Sequence, residues 1–358
     1  MELINDKINR LAESITRIDN KQSKILFYLP SMPQASGGIG VVYEHVKILT
    51  DLGFDAIVLH DNSEYQKPTW LGEAYTSLKH LGLDKNKLNV TPDDMLVIPE
   101  GFSNIMEQTK DMPCIRVVLC QSYLYVLGSL LPGMSWAEMD IRNVVVVTPT
   151  LQTYLERVFG KEKFDIKVCR PSVSDEIFQP SSKPKKPVIA ISSREQNDVL
   201  QISKHFYAAY PQYKWVSFKH MSGMDRASFA ESLQECCLGV WVDRIAGFGT
   251  FPVECAKTNT PFIGLIPDIL PEYATDNVGV WTNNVLDIPD LIAAYFKLWF
   301  EDNEPVELVE GLADLAIQYT SEAEKVTVKE IYTNYLQTRK FEIQLIIEKL
   351  KTEEDGEN

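Results

Sequence analysis

The residues with the clearest chemical potential are Gly247-Phe248-Gly249-Thr250-Phe251-Pro252-Val253-Glu254-Cys255-Ala256. Two glycines one residue apart let backbone N–H groups face outward with no Cβ in the way. An amphipathic segment follows, and a helix start carries unpaired N–H groups and a partial positive charge. Gly247, Phe248, Gly249 and Thr250 would therefore form an anion site suited to a phosphate or pyrophosphate. Glu254 falls within two turns of the helix start, in reach of a ribose hydroxyl. The same stretch also suits a tight turn on a buried helix that binds nothing.

Such a loop needs a strand before it and a strand after it. Leu238-Gly239-Val240-Trp241-Val242-Asp243 and Thr260-Pro261-Phe262-Ile263-Gly264-Leu265-Ile266 have strand length and composition. The pattern recurs near the start of the chain. Ile25 to Pro30 reads as a strand, Ser36-Gly37-Gly38-Ile39-Gly40 as a loop, Val41 to Leu49 as a helix, and Phe54 to His60 as a second strand. Strand, glycine loop, helix and strand make a parallel βαβ unit. Further strands are expected over 94–98, 115–120 and 143–148, joining those at 24–30 and 54–59 in one parallel sheet. A second sheet is expected from 188–192, 214–218, 238–242 and 261–265. Gln121 then stands at the C-terminal end of a strand, where open α/β sheets place ligands; a buried, hydrogen-bonded amide is the alternative.

The run Gly247-Phe248-Gly249, four residues, Glu254, one residue, Ala256, followed by Thr260-Pro261-Phe262-Ile263-Gly264, resembles the nucleotide-sugar loop of GT-B-fold glycosyltransferases, above all the retaining family 4. The resemblance spans most of residues 24–300 and implies an α/β protein of two Rossmann-like domains facing across a cleft. It implies transfer of a sugar from a nucleoside-diphosphate sugar to an acceptor hydroxyl, with retention and without a metal or other cofactor. Gly37 and Gly38 match the loop that approaches the donor phosphates or the acceptor. Gln121 stands where many members carry histidine. Arg194 matches the first of two cations that neutralise the departing diphosphate. The second is absent, with Glu195, Gln196, Asn197 and Asp198 in its loop; Lys204 or Lys219 are the substitutes at hand. The first loop glutamate is replaced by Ala246, with Asp243 nearby. These departures leave two other readings open, a catalytically altered GT-B scaffold or binding protein and a nucleotide-sugar epimerase of the same fold. The acceptor is not identified: a glycan, a lipid, a small molecule or a modified DNA base all fit.

A chain of 358 residues accommodates two domains. The expected division is a helical extension at 1–20, an acceptor domain at 21–172, a nucleotide-sugar domain at 173–320, and a C-terminal helix with acidic tail at 321–358. Residues 181–187 read as an exposed linker, a helix is expected from 287 to 300 and one or two more from Tyr319 to about Lys351, and the last six residues as disordered. The net charge of −15 disfavours unspecific binding to nucleic acid or anionic lipid. No apolar run approaches the roughly 20 residues of a membrane span. The start of the chain lacks the layout of a signal peptide, and six cysteines without metal-ligand spacing suit a reducing cytoplasm.

Overall fold

The computed structural model describes residues 2–30, 36–65, 67–85, 88–275, 277–300 and 306–356. The first domain contains α1 (Glu2–Asp19), β1 (Lys24–Leu29), α2 (Gly37–Asp51), β2 (Asp55–His60), α3 (Glu73–Thr76), β3 (Lys79–Gly82), β4 (Met95–Pro99), α4 (Ser103–Gln108), β5 (Ile115–Cys120), α5 (Tyr123–Ser129), β6 (Asn143–Val146), α6 (Pro149–Phe159) and β7 (Asp165–Val168). The second contains β8 (Lys186–Ser193), α7 (Gln196–Ala209), β9 (Ser217–His220), α8 (Arg226–Glu235), β10 (Cys236–Val242), α9 (Thr250–Lys257), β11 (Phe262–Leu265), β12 (Val280–Thr282), α10 (Ile288–Phe300) and α11 (Val306–Gln318). A final helix, α12 (Ser321–Gly356), follows.

The strands form two separate parallel sheets, in the orders β3-β2-β1-β4-β5-β6-β7 and β12-β11-β10-β8-β9. Each order reverses direction once, between β1 and β4 and between β8 and β10. A doubly wound sheet opens a crevice at that reversal, beyond the carboxyl ends of the strands. Helices cover both faces, so the central strands are mostly apolar; every residue of β5 and of β10 is buried, Arg116 of β5 included.

Three short edge strands, β3, β7 and β12, were not expected from the sequence. They have three or four residues of mixed polarity and lie partly exposed, so no periodic apolar signal marks them. The strand expected over 214–218 instead begins at Ser217, because Pro211–Tyr213 winds into a helical turn and Trp215 stays 47% exposed. The expected linker is more ordered than its composition suggests. Lys185 donates to the Thr258 carbonyl and to Thr260 Oγ1, at 3.0 and 2.7 Å, and Lys186 already belongs to β8.

Of the one or two helices expected from Tyr319 to about Lys351, the structure has one, and it continues past Lys351. α12 has 36 residues, about 54 Å at the usual rise. It returns to the first domain, where Val328, Tyr332, Tyr335, Leu336 and Ile343 enter the core beside α1 and α2. Arg339 donates to the carbonyls of Pro92 and Pro113, and Lys340 pairs with Asp19 of α1. The helix reaches Gly356 through most of the tail expected to be disordered; residues 357 and 358 lie outside the described residues. Where the chain crosses between domains, Ser172 donates its N–H and hydroxyl to Glu324 Oε2, at 2.9 and 2.5 Å. Among the described residues no helix is long and apolar enough to cross a membrane.

Candidate functional site

In the first domain three strand ends converge. Gly37 and Gly38 follow β1 and open α2. Gln121 directly follows β5 and donates Nε2 to the Gly38 carbonyl at 3.0 Å. A Cβ on Gly38 would stand 3.4 Å from Gln121 Oε1, so the two residues are already in contact. Glu100, after β4, is only 4% exposed and accepts the Ser122 N–H at 2.8 Å. Burial pushes its carboxyl up to about 7, against the backbone hydrogen bonds it accepts. Glu100 thus holds the turn that carries Gln121. The sequence reading missed this role; the available signal was a glutamate ending a buried apolar strand.

In the second domain the reversal between β8 and β10 brings Arg194 to Asp243. Arg194 Nε donates to Asp243 Oδ2 at 2.8 Å, and the Ile245 N–H approaches the other carboxylate oxygen at 3.2 Å. Asp243 is therefore committed to Arg194 and to its own turn. Ala246 is 4% exposed and packed in the core, leaving no open space at that position.

The glycine loop divides its residues between core and cleft. Gly249 has φ +76°, and a Cβ there would fall 2.3 Å from the Trp241 ring. Phe248 was expected beside a ligand, but its side chain is buried, packing on Tyr273 and Tyr319 with ring centroids 5.5 and 5.1 Å away. Tyr273 Oη donates to the carbonyls of Phe248 and Gly249, at 2.5 and 2.6 Å. Phe248 has only main chain to offer a ligand. Thr250 opens α9, one turn before Glu254. Burial pushes the Glu254 carboxyl up to about 7, opposed by the charge of Arg226 and by the nearby Thr250 hydroxyl. Lys219 does not join this group: it donates to Ser232 Oγ of α8 at 2.7 Å. Lys204 is exposed on α7.

The halves meet across the cleft. Ser122 Oγ donates to the Ile245 carbonyl at 3.2 Å, and Tyr123 Oη bonds Asp268. Gly247 lies against the Gln121 carbonyl. Arg226 of α8 reaches Tyr75 Oη at 3.2 Å and Glu44 Oε2 at 3.7 Å, while Tyr75 donates to Glu44 at 2.6 Å. Chemically, the second domain presents a helix start, an arginine and a carboxylate at one crevice. The first domain presents a glycine loop and an amide opposite them.

Two doubly wound domains facing in this way define the GT-B fold, the fold of known glycosyltransferase structures. Sucrose-phosphate synthase from Thermosynechococcus elongatus superposes with a TM-score of 0.66 at 10% identity, over 88% of this chain and all of that one. The pneumococcal O-GlcNAc transferase GtfA, in complex with UDP and GlcNAc, gives 0.63 at 10% identity, over 87% and 99%. Anabaena HepE in complex with UDP-glucose gives 0.63 at 11% identity, again over 87% and 99%. No protein-family model matches the chain, and no curated protein matches it in sequence. The likeness to these structures is one of fold.

Proposed function

We propose that this protein is a glycosyltransferase that moves a sugar from a nucleoside-diphosphate sugar, with a UDP-sugar the first candidate, to an acceptor hydroxyl. One observation carries the reading. The loop–helix at 247–254 stands at the strand reversal of the second domain, directly opposite Gln121 and Gly38 of the first. The complexes of GtfA with UDP and GlcNAc and of HepE with UDP-glucose support the choice of donor.

In this reading the α9 N-terminus and Arg194 stabilise the charge that develops on the departing diphosphate. Glu254 accepts hydrogen bonds from ribose hydroxyls. Gly37 and Gly38 let the backbone approach the donor closely, and Gln121 orients the reacting sugar by its amide. Transfer proceeds with retention and without a metal, and the acceptor enters from the first domain. We place the reaction in the cytoplasm, where six buried, unbridged cysteines suit a reducing medium.

The test is release of nucleoside diphosphate from a panel of nucleotide sugars, followed by mass analysis of products. Sugar transferred to an acceptor supports the proposal. Diphosphate released without a glycoside points to an epimerase of this fold, and absence of release with retained nucleotide binding points to a binding protein.

A further inference from the structure

The short helix α5 is firmly held yet turns most of its apolar side chains outward. The Ser122 N–H donates to Glu100 just before it, Ser129 Oγ donates to the Glu100 carbonyl at 3.0 Å, and Ser103 donates to the Ser129 carbonyl. Val126 is its buried residue, and Tyr125 packs over Gly101, where a Cβ would meet the Tyr125 Cβ at 3.4 Å. The other large side chains do not serve the core. Leu124, Tyr125, Leu127 and, just past the helix, Leu131 are exposed, Leu127 by 50% and Leu131 by 70%. Scattered exposed leucines are ordinary, but four large apolar residues on one anchored stretch make a patch that folding does not account for.

The patch is continuous with the cleft. Gln121 and Ser122 lead directly into α5, and Gly247 of the second domain lies against the Gln121 carbonyl. Tyr123 Oη bonds Asp268 across the domain boundary, and Asp268 stands in the chain between Ile266 and Leu270, both exposed. The patch is also uncharged: no residue from 117 to 137 carries a charge, in a chain of net charge −15. It offers nothing to a charged partner. Six side chains also fall short of the about 20–30 residues that a stable protein interface takes from each side.

We propose that the acceptor is amphiphilic: its hydroxyl-bearing head enters the cleft at Gln121, and its uncharged hydrocarbon chain lies along α5 on Leu124, Leu127 and Leu131. The inference rests on the proposed sugar transfer, whose acceptor it assigns to one chemical class. Each methylene laid on this surface leaves water. Full burial of a methylene tightens binding by about fourfold, so a surface open on one side gives about twofold. Such binding grows with chain length and needs no charge, which suits a patch without charged residues.

The test uses the butyl, hexyl and octyl ethers of glycerol below their micelle concentrations, with affinity read by ligand-observed NMR titration. Wild-type protein should bind about twofold more tightly for each added methylene. The double variant Leu127→Ser, Leu131→Ser should lose this dependence, bind octyl glycerol about tenfold more weakly, and bind UDP as wild type does. A flat series in wild type, or the same slope in the variant, would overturn the inference. Leucine-dependent sedimentation with phosphatidylcholine vesicles, or leucine-dependent self-association, in place of a chain-length slope would overturn it too, and would give the patch to a bilayer or to a second copy of the chain. If the double variant does not fold, Leu131→Ser carries the test: a loss of about threefold for octyl glycerol supports the inference, and none overturns it. During turnover, KM for these glycerols should fall along the series while kcat holds steady, because the chain is bound equally before and during transfer. A wild-type protein that releases no nucleoside diphosphate removes the proposed function itself, whereas a flat binding series removes this inference alone.

Discussion

The main chain of Gly247 packs so tightly on Gln121 that a Cβ at residue 247 would lie 1.9 Å from the Gln121 carbonyl oxygen. The two residues belong to different domains, so the contact exists only while the cleft is closed. Gly247 is not among the glycines with positive φ, so alanine meets no backbone strain there. Gly247→Ala is expected to stay folded and to hold the cleft ajar. Small-angle scattering should show a larger radius of gyration, and nucleotide affinity should fall by roughly 1–3 kcal/mol, the range for overpacking one contact. Unchanged scattering and affinity would mean that the closed contact plays no part in binding.

Gly249 is the internal control, because its constraint lies within one domain. Positive φ and the Trp241 ring both oppose a side chain. Gly249→Ala should lower unfolding stability by on the order of 3 kcal/mol in urea titrations. Stability within experimental error of wild type would contradict the tight packing described.

Glu254 accepts hydroxyl hydrogen bonds best when ionised, and burial holds its carboxyl near 7. Nucleotide affinity should therefore rise as pH increases from 6 to 8. Glu254→Gln should weaken the nucleotide by about 1–3 kcal/mol at pH 8 and should lose this residue's share of the pH dependence. Calorimetry of both proteins across that range separates it from titration of the ligand's own phosphate. Parallel pH profiles would show that Glu254 does not touch the nucleotide.

Ala246 presents no acceptor, and Asp243 is already bonded to Arg194. A site with few sugar-specific hydrogen bonds discriminates weakly. Competition among nucleotide sugars should then give ratios of roughly tenfold or less between close epimers. Sharp selection for one hexose, undiminished in Asp243→Ala, would mean that another residue supplies the missing carboxylate.

Glu324 is 2% exposed, and burial pushes it up to about 7, while His45, 3.7 Å away, is driven down to about 4. The folded state holds the Glu324 proton to a higher pH than the unfolded chain. Its contribution is full below about 4.5 and is lost as pH rises to about 7, up to roughly 3 kcal/mol in all. His45 acts in the opposite sense, costing stability as pH falls from 6.5 toward 4. Glu324→Gln should therefore lose less stability than wild type between pH 5 and 8, read from urea midpoints. An identical loss would show that Glu324 is ionised throughout.

The sequence by itself determined the parts whose signals are local. Continuous apolar runs marked β1, β4, β5, β8 and β10, since a strand buried on both faces leaves no room for alternation. Glycines at strand ends marked the loops at 37–38 and 247–249, and with them the two-domain α/β architecture. Only the tertiary structure decided which of those residues share a cleft. Phe248 and Ala246 read like their ligand-facing neighbours but are buried in the core, where Tyr273 and Tyr319, from elsewhere in the chain, complete the packing around Phe248. Glu100 and Arg226 carry no motif: their partners, Ser122 and the pair Glu44–Tyr75, come from other elements. A spacing rule reports neighbours along one helix or strand, whereas these contacts arise where separate strand ends and domains are brought together by packing.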